Sequence, residues 1–486
     1  MPIFTDENIE KLFGAEDAEN ELEDRFKQYF FYNKAYDNLT SALPLRILVG
    51  HKGVGKSALL KRAYLSDVEK NILSIALKPN EILAITAPKD VKDFYHLVEH
   101  WKQGILAVLA SRLLGSAAQD IVTNDTVAGF ASKISSFISA ISSKITQVAN
   151  EKISNDFSQA VVDQFAKTGI IHVYIDDIDR GWAATQDDIR NISALLNAMR
   201  DISGSDQRVR FRIGLRSDVY FLVRTSDEST DKIGRNIIWL SWTNHEILCV
   251  MAKRIQTFFG DDQSQESILK LNQTDISKNI LSKIIQPVFE GVGHWSKRPI
   301  HNVLLSLTRA RPRDLVKLMH GAARRAFAGD SNIITSKNLE DSFSSYSNER
   351  LQDIINEFRS EMPEIERLLL AMKPSKKSRT TSENFLFSGD RLSSKISDIM
   401  QNVNIKFTNG KPATGKAIIQ FLYKIDFITA RKELENGIID RKYFDHNHFL
   451  ANEFSDFGYS WEIHPAYRWA LAPQDIQSVI DSLKNE

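Results

Sequence analysis

The stretch that most limits what this chain can fold into is Gly50-His51-Lys52-Gly53-Val54-Gly55-Lys56-Ser57, which fits G-x-x-x-x-G-K-[ST] in full. A β-type run, "LRILVG", precedes it, and a run of helix formers, "KSALLKRAYL", follows. A loop between a buried strand and a helix start is the setting a phosphate cradle needs. Gly50, Gly53 and Gly55 let backbone N–H groups turn toward phosphate oxygens with no Cβ in the way, and Val54 and Ala58 complete the loop and first turn. Lys56 places a cation between the β- and γ-phosphates, Ser57 offers a hydroxyl to Mg²⁺, and the helix points its positive end at the anion. ATP and Mg²⁺ are the cofactors this predicts.

Such a site needs a carboxylate at the end of a neighbouring strand. "GIIHVYIDDIDR" supplies one. Asp176 is expected to hold Mg²⁺, usually through water, and Asp177 to polarise the attacking water. Asp179 and Arg180 would organise the loop beyond. The alternative is an acidic cap on the next helix. The acid lies far downstream of the cradle, and a Ser-, Ala- and Ile-rich segment at 115–168, read as a helical insertion, accounts for the gap.

With 486 residues, two or three domains are expected. Strand-like runs alternate with helices up to residue 243, which predicts a parallel sheet covered by helices. Residues 244–330 read as a helical lid, and 331–486 as a winged-helix-like domain whose helices precede a two-stranded β-ribbon. Lys plus Arg equals Asp plus Glu, at 62 each, so the chain has no overall bias toward nucleic acid. Cys249 is the only cysteine, which excludes an intrachain disulfide and a cysteine-rich zinc site and fits a reducing cytoplasm. The N-terminus lacks a signal pattern, and no apolar run reaches the roughly 20 residues a membrane span needs.

Three stretches carry a family resemblance. "KLFGAEDAENELEDRF" resembles the F-x-G-R-E-x-E-L element that precedes the cradle in origin-recognition-type AAA+ ATPases and in STAND ATPases. That resemblance implies adenine packing at Phe13 and Gly14, although Ala15 stands where those families carry arginine. "YIDDIDR" is similar to the D-D-L-D-R signature of KAP ATPases. "ARPRDLVKL" resembles a sensor element, G-x-P-R, whose arginine reaches the γ-phosphate: Pro312 and Arg313 match, and Ala310 replaces the glycine. The chain thus resembles bacterial P-loop ATPases of the STAND/AAA+ group over roughly residues 10–330.

The resemblance implies further roles. The strand "FRIGLRSD" would end beside the γ-phosphate, making Arg216, Ser217 and Asp218 sensor candidates, with a salt bridge between Arg216 and Asp218 as the alternative. Arg235 stands where AAA+ proteins carry an arginine finger for the neighbouring subunit, and Arg224 is its rival. Such a finger acts only in an assembly, so a homo-oligomer is implied. His446 and His448, with Asp445 adjacent, form either a metal site or a polar wing tip. The helix "GKAIIQFLYKI" offers only Lys416 and Lys424 toward DNA, and the "SKKSR" stretch at 375–379 reads as a solvated linker. His51 and Lys52 contact a neighbouring subunit or face solvent.

Three functions fit. The first is an ATP-driven switch or oligomerising ATPase, for which the resemblance implies a place in bacterial antiphage defence beside a separate effector protein. The second is a DNA-binding ATPase acting as loader or remodeller. The third, a small-molecule kinase, leaves the lid and C-terminal module unexplained.

Overall fold

The computed structural model describes residues 3–15, 21–85, 93–123, 151–226, 228–261, 263–291, 295–374, 384–435, 439–447, 450, 459–472 and 479. Five parallel strands form the central sheet: β1 (Leu45–Val49), β2 (Leu73–Leu77), β3 (Ile171–Ile175), β4 (Val209–Leu215) and β5 (Ile237–Trp239). Their spatial order is β2-β3-β4-β1-β5, so β4 lies between the strand leading into the cradle and the strand leading into the acid. Ile175 pairs with Ile213, and Leu48 with Gly214, which brings the ends of β3 and β1 to one level.

The strands are almost continuously apolar because both sheet faces are covered. Ile47, Val49, Val173, Ile175, Phe211 and Ile213 face a core shared with the helices Phe94–Thr123 and Gln186–Ser205. Leu48 and Tyr174 point the other way, as the two-residue repeat of a strand requires. That second core is continuous from Phe4 through the helices after β5 to Val479. The lid and C-terminal part therefore share their interior with the N-terminal helices. Within the expected insertion, helix Phe94–Thr123 packs along helix Glu151–Thr168, while 124–150 and the 375–379 stretch lie outside the described residues.

The helix Asn244–Phe259 begins straight after the sheet. Thr243 caps it and receives Glu246 in return, a reciprocal box that fixes the start. Further on, Pro312 opens the helix Pro312–Ala328 at a position where its missing N–H costs nothing. The C-terminal helices Gly389–Asn402 and Gly415–Lys424 lie against an antiparallel sheet of order β6-β9-β7-β8, comprising β6 (Leu386–Phe387), β7 (Ile428–Glu433), β8 (Ile439–Lys442) and β9 (Ser460–Ile463).

The two β-type runs "DFITARK" and "YSWEIHPAYRWAL" pair as β7 and β9, for example Ile428 with Ile463, and the sheet extends the expected two strands to four, with β8 on β7 and β6 on β9. The two residues of β6 are too few to show a strand by pattern. Arg431, Arg441 and Arg468 converge on the buried Glu462 carboxylate, so the arginines of the expected wing are neutralised inside the sheet. Phe444–Asn447, expected at a wing tip or metal site, form a helical turn. The His446 side chain and His448 lie outside the described part of the structure. Among the described residues no group of His, Cys, Asp and Glu is arranged to hold a metal, and no helix is long and apolar enough to cross a membrane.

Candidate nucleotide site

The loop after β1 turns through Gly53 (φ +86°) and Gly55 (φ +100°), backbone angles that L side chains rarely adopt. Gly50 is required for a different reason. A Cβ there would lie 2.9 Å from Val54 Cγ2 and 3.0 Å from the Leu240 carbonyl oxygen. Trp242 locks the loop from outside by donating its indole N–H to the Val54 carbonyl at 2.7 Å. Lys56 is buried and donates to the Gly50 and His51 carbonyls at 2.8 and 3.1 Å. Burial pushes its pKa down, against the pull of Asp179 and Asp176. A buried ammonium whose hydrogen bonds go to neutral carbonyls is stabilised further by an incoming anion.

Asp176 swings from the end of β3 across β4 to hydrogen-bond the Ser57 hydroxyl. Its passage depends on Gly214: a Cβ on Gly214 would sit 2.2 Å from Asp176 Oδ1. An isolated glycine inside a strand pattern marks such a close approach, and that signal in "FRIGL" identifies Gly214 as a site residue. Burial raises the Asp176 pKa, and the nearby Asp177 charge adds to the effect. A hydroxyl and a carboxylate brought together beside a cradle form an oxygen donor pair suited to Mg²⁺. Asp177 is exposed at the site with φ +51°, and its N–H donates to Asp176 Oδ1 at 3.0 Å.

One cavity of about 350 Å³ joins these parts. Gly53, Val54, Gly55, Lys56, Ser57 and Ala58 line it together with Asp177, Pro312 and Arg313. Arg313 lies over the loop, its Cδ 3.4 Å from the position of a Cβ on Gly53. Ala310, where the resembled families carry glycine, adopts φ +51°, a left-handed conformation that favours glycine. The far wall is aromatic: Phe26, Tyr29, Phe30, Phe31 and Trp242, with Ala15, Val250 and Arg254. Phe13 is fully buried, edge-on to His320, and lies outside the cavity lining. Gly14 ends its helix at φ +77°. Neither the aromatic wall nor Arg254 was expected from the sequence: the aromatic residues of 26–31 and Trp242 suit a core equally well, and Arg254 suits a solvated helix face.

Asp179 is buried, and burial raises its pKa to about 6. Arg216 bonds Asp218 at 2.7 and 3.0 Å and lies 3.5 Å from Asp179 and 3.6 Å from Glu357. The expected salt bridge is thus present, within a larger ionic group. Arg235 and Arg224 are exposed and lie outside the cavity. Arg235 lines a separate surface cleft with Arg200, Asp201 and Lys232. Lys424, read as an exposed base, is buried and paired with Glu361, while Lys416 is exposed.

His51 also departs from expectation. It is 4% exposed, and its Nε2 lies 3.3 Å from Asp426 and 3.1 Å from Asp445 of the same chain. Burial would lower its pKa, but the two carboxylates raise it overall. Arg311, just before the helix that carries Arg313, donates to the Lys52 carbonyl at 3.2 Å and to Asp426 at 2.7 Å. The exposed Lys52 side chain leaves its backbone to make that contact. Nearby, Asp314 holds Arg309 and Arg350, and Arg309 donates to the Tyr467 hydroxyl at 2.7 Å. The cradle, the Arg313 helix and the C-terminal part are thus linked by buried polar contacts.

Comparisons with known proteins place similarities along the chain. Residues 252–355 match a family model described as the FunZ-associated C-terminal helical domain. The 80.3 kDa transposon gamma-delta protein of Escherichia coli is 22% identical, over 96% of this chain and 69% of that protein. Among solved structures, the chain is similar to Cdc6p from Pyrobaculum aerophilum (10% identity, TM-score 0.32, 97% of each chain). It is also similar to the ORC2 protein of Aeropyrum pernix (10% identity, TM-score 0.38, 90% of this chain and 88% of that one). The RuvB Holliday junction branch migration motor of Thermotoga maritima is a third (11% identity, TM-score 0.33, 88% and 96%).

Proposed function

We propose that this chain is an ATP-binding and ATP-hydrolysing conformational switch of the AAA+/STAND type, whose phosphate site sets the position of its C-terminal part. The observation that carries this reading is the double tie from the cradle to Asp426: Arg311, from the start of the Arg313 helix, donates to its carboxylate, and His51 from the loop lies 3.3 Å from the same oxygen. An anion drawing Arg313 toward the loop moves the helix start, and with it Arg311 and Asp426.

In the site itself, loop N–H groups, Lys56 and Arg313 bind and orient the triphosphate. Ser57 and Asp176 would hold Mg²⁺, which supplies charge neutralisation on the phosphates when bound. Asp177, at the cavity edge, orients the attacking water and accepts its proton. Arg235, exposed and outside its own cavity, is the residue we assign to the site of a neighbouring copy in a homo-oligomer. The resemblance to defence ATPases makes the chain the sensor or scaffold of an antiphage system, working with a separate effector. Direct DNA reading is disfavoured by the burial of Lys424, Arg431 and Arg441 against carboxylates.

The test is solution size and shape by light and X-ray scattering, with and without a non-hydrolysable ATP analogue. A change in assembly or dimensions that Lys56→Ala abolishes is expected. Identical profiles with analogue bound would sink the switch.

A further inference from the structure

The end of the cavity away from Lys56 holds a cation that the phosphate chemistry does not use. Arg254, from the helix Asn244–Phe259, lines the cavity, and its guanidinium carbon lies 4.6 Å from the centre of the Tyr29 ring. Its Nε and Nη1 are buried and make no hydrogen bond among the described residues. Burial lowers its pKa, only partly offset by Tyr29 and Glu21. Leaving donors of a charged group unmet inside a protein is costly unless a ligand meets them.

The surroundings are arranged around this cation. Gly14, at φ +77°, has no Cβ to collide with three groups: one there would meet Glu21 Oε2 and Tyr29 Oη at 2.8 Å and Arg254 Nη1 at 3.0 Å. Glu21 accepts the Ala15 N–H at 2.6 Å and lies 3.7 Å from Arg25; its charge reaches Arg254, yet Nε and Nη1 make no hydrogen bond to it. Around them stand Phe26, Phe30, Phe31 and Trp242. Aromatic faces with a planar, donor-only fork suit a flat heterocycle with acceptor atoms on its edge. Carbonyl oxygens and unprotonated ring nitrogens of a nucleobase are such acceptors.

Resting on the reading of the cavity as a nucleoside triphosphate site, we infer that Arg254 is the base-reading residue, donating to the acceptor edge of a base held in the Phe26–Tyr29–Trp242 wall. Its neighbour on the same helix face, Val250, closes the apolar side one turn earlier.

The experiment is titration calorimetry of the full chain with a non-hydrolysable ATP analogue and, separately, with inorganic triphosphate, which has no nucleoside. Arg254→Gln is expected to weaken the ATP analogue roughly ten- to a hundredfold, as loss of a charge-assisted hydrogen bond does, and to leave triphosphate unchanged. Arg254→Lys, which keeps the charge on Tyr29 but not the planar fork, is expected to regain only part of the loss. Unchanged analogue affinity in Arg254→Gln overturns the inference. So does an equal loss for both probes, which marks a structural role. Lys56→Ala losing both probes supports the phosphate site independently, while a wild-type chain that binds neither overturns both readings.

Discussion

Gly214→Ala tests the geometry of the site without replacing a charged residue. The added Cβ would sit 2.2 Å from Asp176 Oδ1 and 3.0 Å from Leu60 Cδ1. Contacts under 3.0 Å are essentially never made by real Cβ atoms, so the carboxylate must retreat by about 0.8 Å or more. Overpacking of this kind costs roughly 1–3 kcal/mol. The larger effect is on turnover, because the displaced group is the one bonded to Ser57. A misplacement near 1 Å in a catalytic constellation costs on the order of a hundredfold in rate. We expect phosphate release from ATP to fall by about that factor, with melting lowered by a few degrees and nucleotide affinity in the absence of Mg²⁺ little changed. Gly389→Ala, where nothing lies within 4 Å of the new methyl, serves as the control and should retain full turnover. Wild-type turnover in Gly214→Ala would refute the route of Asp176 across β4.

Other perturbations address other parts of the molecule. Asp177→Asn keeps a residue that tolerates the left-handed backbone at φ +51°, so folding and nucleotide binding should persist while hydrolysis falls at least a hundredfold in a phosphate-release assay. Asp426→Asn removes the carboxylate shared by Arg311 and His51, and breaking such a buried pair costs about 3–5 kcal/mol, readable as a loss of melting temperature and easier proteolysis of the C-terminal part. His51 should make nucleotide-free stability depend on pH. Its pKa is raised in the folded chain, so its contribution is complete below the unfolded value near 6.5 and is lost as pH climbs through the raised value. Asp445, lowered to about 2 despite its burial because His51 faces it, contributes above the ordinary carboxylate range and fails only in strong acid. Melting temperature should therefore decline as pH rises from about 6.5, and His51→Gln should flatten that decline.

The local parts of the site were legible in the sequence because they are contiguous. The run Gly50–Ser57 specifies its own loop, and "HVYIDD" ends a strand whose apolar residues leave no other reading. Gly214 was legible in principle, since a lone glycine in an apolar strand signals close approach. The tie between His51 and Asp426 was not. Its partners lie in separate elements far apart in the chain, and no local periodicity links a loop histidine to an aspartate in a turn at φ +55°. Arg254 and the Phe26–Phe31 wall were hidden for a different reason: clustered aromatic residues suit core packing as well as ligand binding, and an arginine on a mixed helix suits a solvated face. In the C-terminal part the runs that become β7 and β9 were readable, but β6 is too short to declare itself. Arg431 and Arg441 share one buried carboxylate, Glu462, from another strand, which their own sequence does not reveal.

Hydrogen exchange at residues 425–433 and 440–447, compared between nucleotide-free protein and protein saturated with a non-hydrolysable ATP analogue, tests the central coupling most directly. The tie through His51, Arg311 and Asp426 predicts altered protection of these segments on analogue binding, and no alteration in Lys56→Ala. Unchanged exchange there, with analogue bound at the loop, would contradict it.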